Sequence, residues 1–407
     1  MIINKTDILL PNKKIDLSKW SVIACDQFTS DKEYWYNLEK YIKKEPSTLN
    51  LIIPEAFLDR DNKTCNIFLN EYFKNNVFDI EKDCYILINR KTPYHKSRLG
   101  LVCAIDLEDY DYKPNLKNII RASEGTLQER ILPRIKVREN IYAEFPHIML
   151  LFDDREQKIL ENLYDNRENF KKIYDFDLNA NGGSIEGYKI DSLDLTDQFL
   201  KLLDKDYLNK VFKSDEKLLF IVGDGNHSLA TAKTCWEEIK KNLSEQEKIN
   251  HIARYCLVEI CNINDLGIEF YPIHRVVYNY NENFVYGLKN LYKECGYKEY
   301  KLIYSGKEEK FKLPINTAEA IKIVQDYIET FKNQNEKIEV DYIHDETHVI
   351  NECSNKNALG IFLPTLEKTE IFEYVIKNGP LPKKSFSIGK SVEKRYYLEG
   401  RVIKKQL

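Results

Sequence analysis

The sequence predicts a mixed α/β or α+β protein with mixed sheets. Three observations carry this. Apolar runs of strand length recur along the chain, at 84–89, 100–107, 147–152, 253–261 and 357–363. Between them lie longer segments with apolar residues at helical spacing, clearest at 30–44 and 317–331. Strands and helices do not alternate strictly, which argues against both a helix bundle and a pure β fold.

In order along the chain, WSVIAC (20–25) reads as a buried strand ending at Asp26-Gln27. Residues 30–44 read as a helix capped by Ser30, with Tyr34, Trp35, Leu38, Tyr41 and Ile42 near one face. A second amphipathic helix covers 57–73, and the strands at 84–89 and 100–107 flank a polar link around Thr92-Pro93. The second half of 119–141 reads as a helix carrying Arg134 and Arg138, broken near Pro133. HIMLLF (147–152) is a buried strand, 156–174 a polar amphipathic helix, Gly182-Gly183 a turn, 188–195 a strand and 198–208 a helix. LLFIV (218–222) runs as a strand into Gly223-Asp224-Gly225-Asn226-His227, and a helix follows. The strand at 253–261, the segment Pro272-Ile273-His274-Arg275, the helix at 317–331, the strand at 357–363 and a basic tail complete the chain. No repeat or low-complexity linker marks a boundary. The motifs group into an N-terminal α/β region (1–110), a core (111–278) and a C-terminal α/β region with the tail (279–407).

Composition excludes several classes. A net charge of −4 without a basic block argues against a general grip on nucleic acid. No window approaches the roughly eighteen apolar residues of a membrane span. The N-terminal MIINKTDILLPNKKIDLSKW, interrupted by charges and Pro11, lacks the layout of a signal peptide. The nine cysteines include no C-x-x-C pair, so reduced thiols and a cytoplasmic location are expected. A small-molecule substrate fits this balance, and a homodimer stays open.

The strand-to-helix turn at 223–228 carries more chemistry than a turn requires. Gly223 and Gly225 let backbone N–H groups face inward, and the helix start adds the positive end of its dipole. The N–H groups of Gly225, Asn226 and Ser228 would cradle a phosphate. Asp224 would hold Mg²⁺ or a hydroxyl, and His227 would donate to a phosphoryl oxygen or move a proton. The simpler reading is a capped helix behind a glycine turn.

Competing motifs fail on particular residues. A haloacid-type phosphatase shares G-D-G but needs an early nucleophilic D-x-D after a strand and an acid where His227 stands. The G-K-S of Gly389-Lys390-Ser391 has Lys384 where a P-loop needs glycine. His344 and His348 have metal-like spacing without a third ligand. Elsewhere, Arg121-Ala-Ser-Glu-Gly-Thr126 resembles a second anion loop, with Arg121 and Arg130 on phosphate and Glu124 as metal ligand or base. Lys383, Lys384, Ser385, Ser387, Lys394, Arg395 and Arg401 make the tail dense in groups suited to a phosphate clamp, Lys384 and Arg395 foremost.

Together these motifs resemble the domain of unknown function 1015 family. The residues that carry the likeness are Ala24-Cys25-Asp26-Gln27-Phe28-Thr29-Ser30, Arg121 to Thr126 with Glu129-Arg130, Glu144-Phe-Pro-His147, Gly223 to His227, Pro272 to Arg275, Leu381 to Gly389 and Glu393 to Glu399. Most members carry H-H-R after D-G; Asn226-His227-Ser228 stands here, without the arginine. The turn is also similar to that of the ParB/sulfiredoxin-like superfamily, which includes partition proteins, sulfiredoxins and free-serine kinases.

That resemblance implies a ParB/sulfiredoxin-like phosphate-binding core. It implies an enzyme acting on a phosphate group of a small metabolite, most concretely phosphotransfer involving free serine or phosphoserine with ATP or ADP and Mg²⁺. Asp224, His227, Asp26 and Glu124 would be catalytic, with Asp224 and Glu124 on the metal. One alternative is a nucleotide-responsive regulatory protein without catalysis. Another is a phosphoserine phosphatase-like hydrolase.

Overall fold

The computed structural model describes residues 2–29, 31–57, 60, 63–114, 117–126, 128–355 and 357–404, without the side chains of 63, 128–130 and 355. The fold is mixed α/β, and the chain divides into two compact units. The first holds residues 1–122, 126–268 and 390–407; the second holds 123–125 and 269–389. Among the described residues no helix is long and apolar enough to cross a membrane.

The first unit is built on a mixed sheet. Its main path runs Tyr110–Asp111, Ile120–Ala122, Phe220–Asp224, Met149–Phe152, Tyr255–Asn262, Leu99–Asp106, Phe78–Lys91, Ser184–Ile190 and Lys171–Asp177. Every residue of Leu99–Asp106 is buried, because both faces of the sheet are covered. Leu101, Cys103 and Ile105 point to one core with Leu150, Phe152, Phe220, Val258 and the helix residues Leu160, Phe199, Leu229 and Trp236. Val102, one position out of phase, joins Ile86, Ile88 and Leu257 on the other face, under Trp20, Tyr72 and Leu398. The period of two thus assigns each strand residue to a core.

The second unit has an antiparallel sheet ordered Lys307–Pro314, Tyr297–Tyr304, Ala358–Ile361, His274–Tyr278 and Glu339–Ile343. Helices Glu282–Lys289 and Thr317–Gln334 cover one face through Phe284, Leu288, Val324 and Ile328. Val349 and Cys353 of the helix Glu346–Asn355 pack with Val276 and Phe362 in a separate cluster. A short pair, Phe270–Pro272 with Phe386–Ile388, completes it.

Several local expectations shift. Residues 20–25 are not a strand: Trp20 closes the helix Leu17–Trp20, and only Ile23 makes a bridge, to Arg395. The next helix is Lys32–Ile42, capped by Asp31, whose side chain accepts from Tyr34 N–H; Ser30 lies outside the described residues. Pro133 sits inside the helix Gln128–Arg138 without ending it. The helix expected over 156–174 is confined to Ile159–Asp165, and Lys171–Asp177 is an edge strand paired with Ser184–Ile190. The hairpin through Gly183, at φ 78°, recruits that segment to the sheet and overrides its helical spacing.

Candidate functional site

Phe220, Ile221 and Val222 are fully buried and carry their strand between Met149–Phe152, antiparallel, and Ile120–Ala122, parallel. Its register to the first neighbour slips between Val222 and Asp224, a bulge at Gly223 that re-aims Asp224. Gly225 follows at φ 81° as the cap residue of the helix Asn226–Ile239. That backbone favours glycine, and a Cβ there would lie 2.6 Å from the His147 carbonyl oxygen. Gly225→Ala is therefore expected to destabilise the chain by at least about 2 kcal/mol. Urea unfolding followed by tryptophan fluorescence measures this, and a loss under about 0.5 kcal/mol would count against the close packing.

Asp224 is the hub. Its Oδ1 accepts from Gly225 N–H at 2.8 Å. Its Oδ2 lies 3.2 Å from Lys394 Nζ and 3.5 Å from His147 Nε2. The His147 ring is fixed from its other side, where Nδ1 donates to the Arg395 carbonyl oxygen at 2.8 Å. Nδ1 therefore carries a proton, and Nε2 faces a carboxylate. Burial pushes the Asp224 carboxyl up, but Lys394 and His147 overcome this and hold it far below the ordinary range. Burial likewise opposes protonation of His147, yet the Asp224 carboxylate prevails and raises its pKa above 6.5.

Lys394 is brought here by a short extended pairing. Ala24 N–H donates to the Lys394 carbonyl at 2.8 Å, and Tyr396 N–H to that of Val22 at 2.9 Å. The same pairing brings in Cys25 and Asp26. Asp26 accepts from Gln27 Nε2 at 2.9 Å, and its charge acts on His147, Cys25 and Tyr396. Cys25 receives the Tyr396 hydroxyl at 3.1 Å, and burial pushes its thiol up to about 12, so it is no thiolate nucleophile.

The structure thus gathers His147, Asp224 and Lys394, from three separate motifs, at the start of one helix, with the charge of Asp26, from a fourth, acting on His147. Asn226, His227 and Ser228 occupy that helix's first turn and are half-buried. The remaining residues read from the sequence lie as follows. Arg121 is buried and turned toward the segment that precedes the Phe220 strand: it donates to Glu216 at 2.6 Å and to the carbonyls of Asn118 and Lys217. The Arg395 guanidinium is buried and donates to the carbonyls of Val392, Ser21 and Asn179 and to Asn179 Oδ1. Glu124 and Lys384 belong to the second unit, where the Glu124 carboxylate accepts from the backbone of 384–386. The Arg130 side chain lies outside the described residues.

Lys394 reads in the sequence only as one of several tail cations suited to a phosphate clamp and His147 only as part of a motif; nothing in their local sequence pairs either with Asp224. Asp224, already flanked by two cationic side chains at Oδ2, does not fit a divalent ion as it stands. Among the described residues no group of three or more His, Cys, Asp or Glu is placed to hold a metal.

Fold and site together define a mixed α/β protein organised around a strand-to-helix turn. The chain belongs to the family described as "Protein of unknown function (DUF1015)", whose model matches residues 9–357. No curated protein matches it. Several solved structures are similar, among them the following three. One is free serine kinase in complex with AMP, at 12% identity and a TM-score of 0.40 over 74% of this chain and 91% of that one. Another is a conserved hypothetical protein from Pyrococcus furiosus, at 14% identity and a TM-score of 0.37 over 71% and 90%. The third is SbnI with C-terminal truncation from Staphylococcus aureus, at 10% and 0.36 over 71% and 82%. Similarity at this level carries no argument about chemistry.

Proposed function

We propose that this chain is an enzyme that binds a phosphate group of a small metabolite at the Asp224 turn and transfers it. The observation that carries the reading is the pair of cationic side chains, Lys394 and His147, held on one carboxylate beside a glycine-opened helix start. Phosphoryl transfer needs charge neutralisation and positioning more than a special nucleophile. Asp224 sets the position of the two cations. Asn226, His227 and Ser228 form the first turn of the helix Asn226–Ile239, where the positive end of the helix dipole favours a phosphate.

The most concrete version uses free serine and ATP or ADP. The serine hydroxyl oxygen attacks the terminal phosphorus, and the bond from that phosphorus to the bridging oxygen breaks. ADP or AMP leaves, and the hydroxyl proton passes to Asp26. Lys394, His147 and His227 face the charge that builds on the transferred group. The choice of serine rests on the resemblance of the turn to that of free-serine kinases and not on a distance in the site.

Incubation of the purified protein with serine and ATP or ADP, with mass-spectrometric detection of phosphoserine, tests this. Formation of phosphoserine is the expected result, with the reverse reaction or hydrolysis from phosphoserine scored in the same assay. Thermal stabilisation by nucleotide but not by serine or phosphoserine, together with no phosphoserine made or consumed, would sink the serine version and favour a regulatory nucleotide binder.

A further inference from the structure

We propose that the backbone amides of Lys384, Ser385 and Phe386 form an anion-binding nest in the second unit, in which the Glu124 carboxylate is a resident occupant displaced by a small phosphate-bearing ligand. The proposal is independent of the reading of the Asp224 turn.

Three consecutive N–H groups converge on one carboxylate. Glu124 Oε1 accepts from Ser385 at 2.9 Å and from Phe386 at 3.3 Å, and Oε2 accepts from Lys384 at 2.9 Å. Consecutive amides in an extended strand point alternately to opposite sides. Here Lys384 adopts φ 58°, a left-handed conformation uncommon for a residue with a Cβ, and the following N–H groups share a direction. Such concavities bind anions.

The nest is held from behind. Arg275 is fully buried, and its Nη2 donates to the Lys384 carbonyl at 2.9 Å. The rest of the guanidinium is anchored on Gln325 Oε1 at 2.9 Å and the Ile273 carbonyl at 2.6 Å. Its positive charge also acts on Glu124. The Ser385 hydroxyl is turned back to the Pro382 carbonyl at 2.7 Å, so the donors facing Glu124 are main-chain groups. The loop therefore keeps its shape through bonds that do not involve the Glu124 side chain.

The occupant, in contrast, is detachable. The main chain around Glu124 is fastened separately: Leu381 N–H donates to the Ser123 carbonyl at 2.7 Å, and Gly125 N–H to that of Leu381 at 2.8 Å. Only side-chain torsions must change for the carboxylate to leave. Glu124 is half-buried and Gly125 exposed, so solvent reaches this edge. Burial raises the Glu124 pKa despite the three donors, so the carboxylate is imperfectly compensated where it sits. A phosphate monoester brings more charge and an oxygen for each N–H. A tethered competitor lowers the apparent affinity for any free ligand, as an intramolecular partner at high effective concentration does.

The test follows the 384–386 amide resonances of wild type, Glu124→Ala and Glu124→Gln during titration with inorganic phosphate, with acetate and chloride in parallel. Loss of a charge-assisted competitor should tighten phosphate binding in Glu124→Ala by about ten- to a hundredfold over wild type, with Glu124→Gln between them. The wild type should show the same three amides moving at high phosphate. If Glu124→Ala does not fold, judged by circular dichroism, Glu124→Gln carries the test. A folded variant whose amides respond to phosphate no more than to chloride would overturn the nest. A response to acetate alone would overturn the assignment to phosphate.

Discussion

Replacing Asp224 with asparagine is expected to destabilise the chain by about 3 kcal/mol near pH 6 and to abolish binding of a phosphate-bearing ligand at the turn. The substitution keeps the shape and removes only the charge on which Lys394 and His147 converge, at 3.2 and 3.5 Å. Two cationic groups would then face each other in a largely buried space, with only the more remote charge of Asp26 acting on His147. The effect has a defined pH profile. Asp224 has a lowered pKa, so its contribution is present above 3.8 and is lost as pH falls through its folded value. His147 has a raised pKa, so its contribution is complete below 6.5 and is lost as pH rises through its folded value. The difference between wild type and variant should therefore be largest between 3.8 and 6.5, smaller but present at higher pH, where Lys394 remains, and absent in strong acid. Urea unfolding across that range measures it. A variant within about 0.5 kcal/mol of wild type at pH 6 would show that the three groups do not form an ion cluster.

The second large effect is expected at Arg395. Its buried guanidinium donates to Val392 O, Ser21 O, Asn179 Oδ1 and Asn179 O, and burial pushes its pKa down to about 10. Arg395→Met fills similar space but leaves these acceptors without donors in the core. The expected loss is about 3–5 kcal/mol, from the cost of orphaned buried polar groups. Arg395→Lys should recover part of it, since an ammonium reaches fewer acceptors than a fork. Because the adjacent Lys394 is positioned by the same extended segment, Arg395→Met should also weaken ligand binding at the turn. Chemical denaturation and calorimetric titration of the same preparation check both. A stability equal to wild type would show that the guanidinium is dispensable to this core.

How much of this was legible in the sequence differs by layer. The strand at 218–222 and the sharp turn after it could be read from LLFIV and the two glycines, because burial and positive φ leave direct marks. The mixed α/β class was legible for the same reason. The edge strand Lys171–Asp177 was not, since a solvated edge lacks an apolar stripe and its pairing is set by a hairpin further on. Arg395 reads in the sequence as part of a phosphate clamp in a basic tail; that its guanidinium is instead buried on backbone carbonyls depends on Asn179, and no local pattern announces that partnership. Glu124 reads as a metal ligand or base for the same reason: its backbone partners at 384–386 lie far along the chain. The gathering of His147, Asp224 and Lys394 rests on long-range pairing, and spacing along the chain says nothing about it.

The second unit is inserted in the sequence between Ile268 and Lys390, so the segment that supplies Lys394 follows it. A chain that has formed its central sheet but not yet docked that last segment has Asp224 and His147 without the lysine. Bringing together residues so far apart closes large loops, which costs chain entropy and slows folding. A molecule that recognises the assembled cluster binds only chains that have completed this step, and stabilises them by mass action. Its concentration in the cell would then help set how many newly made copies survive surveillance by proteases, as well as how many are occupied.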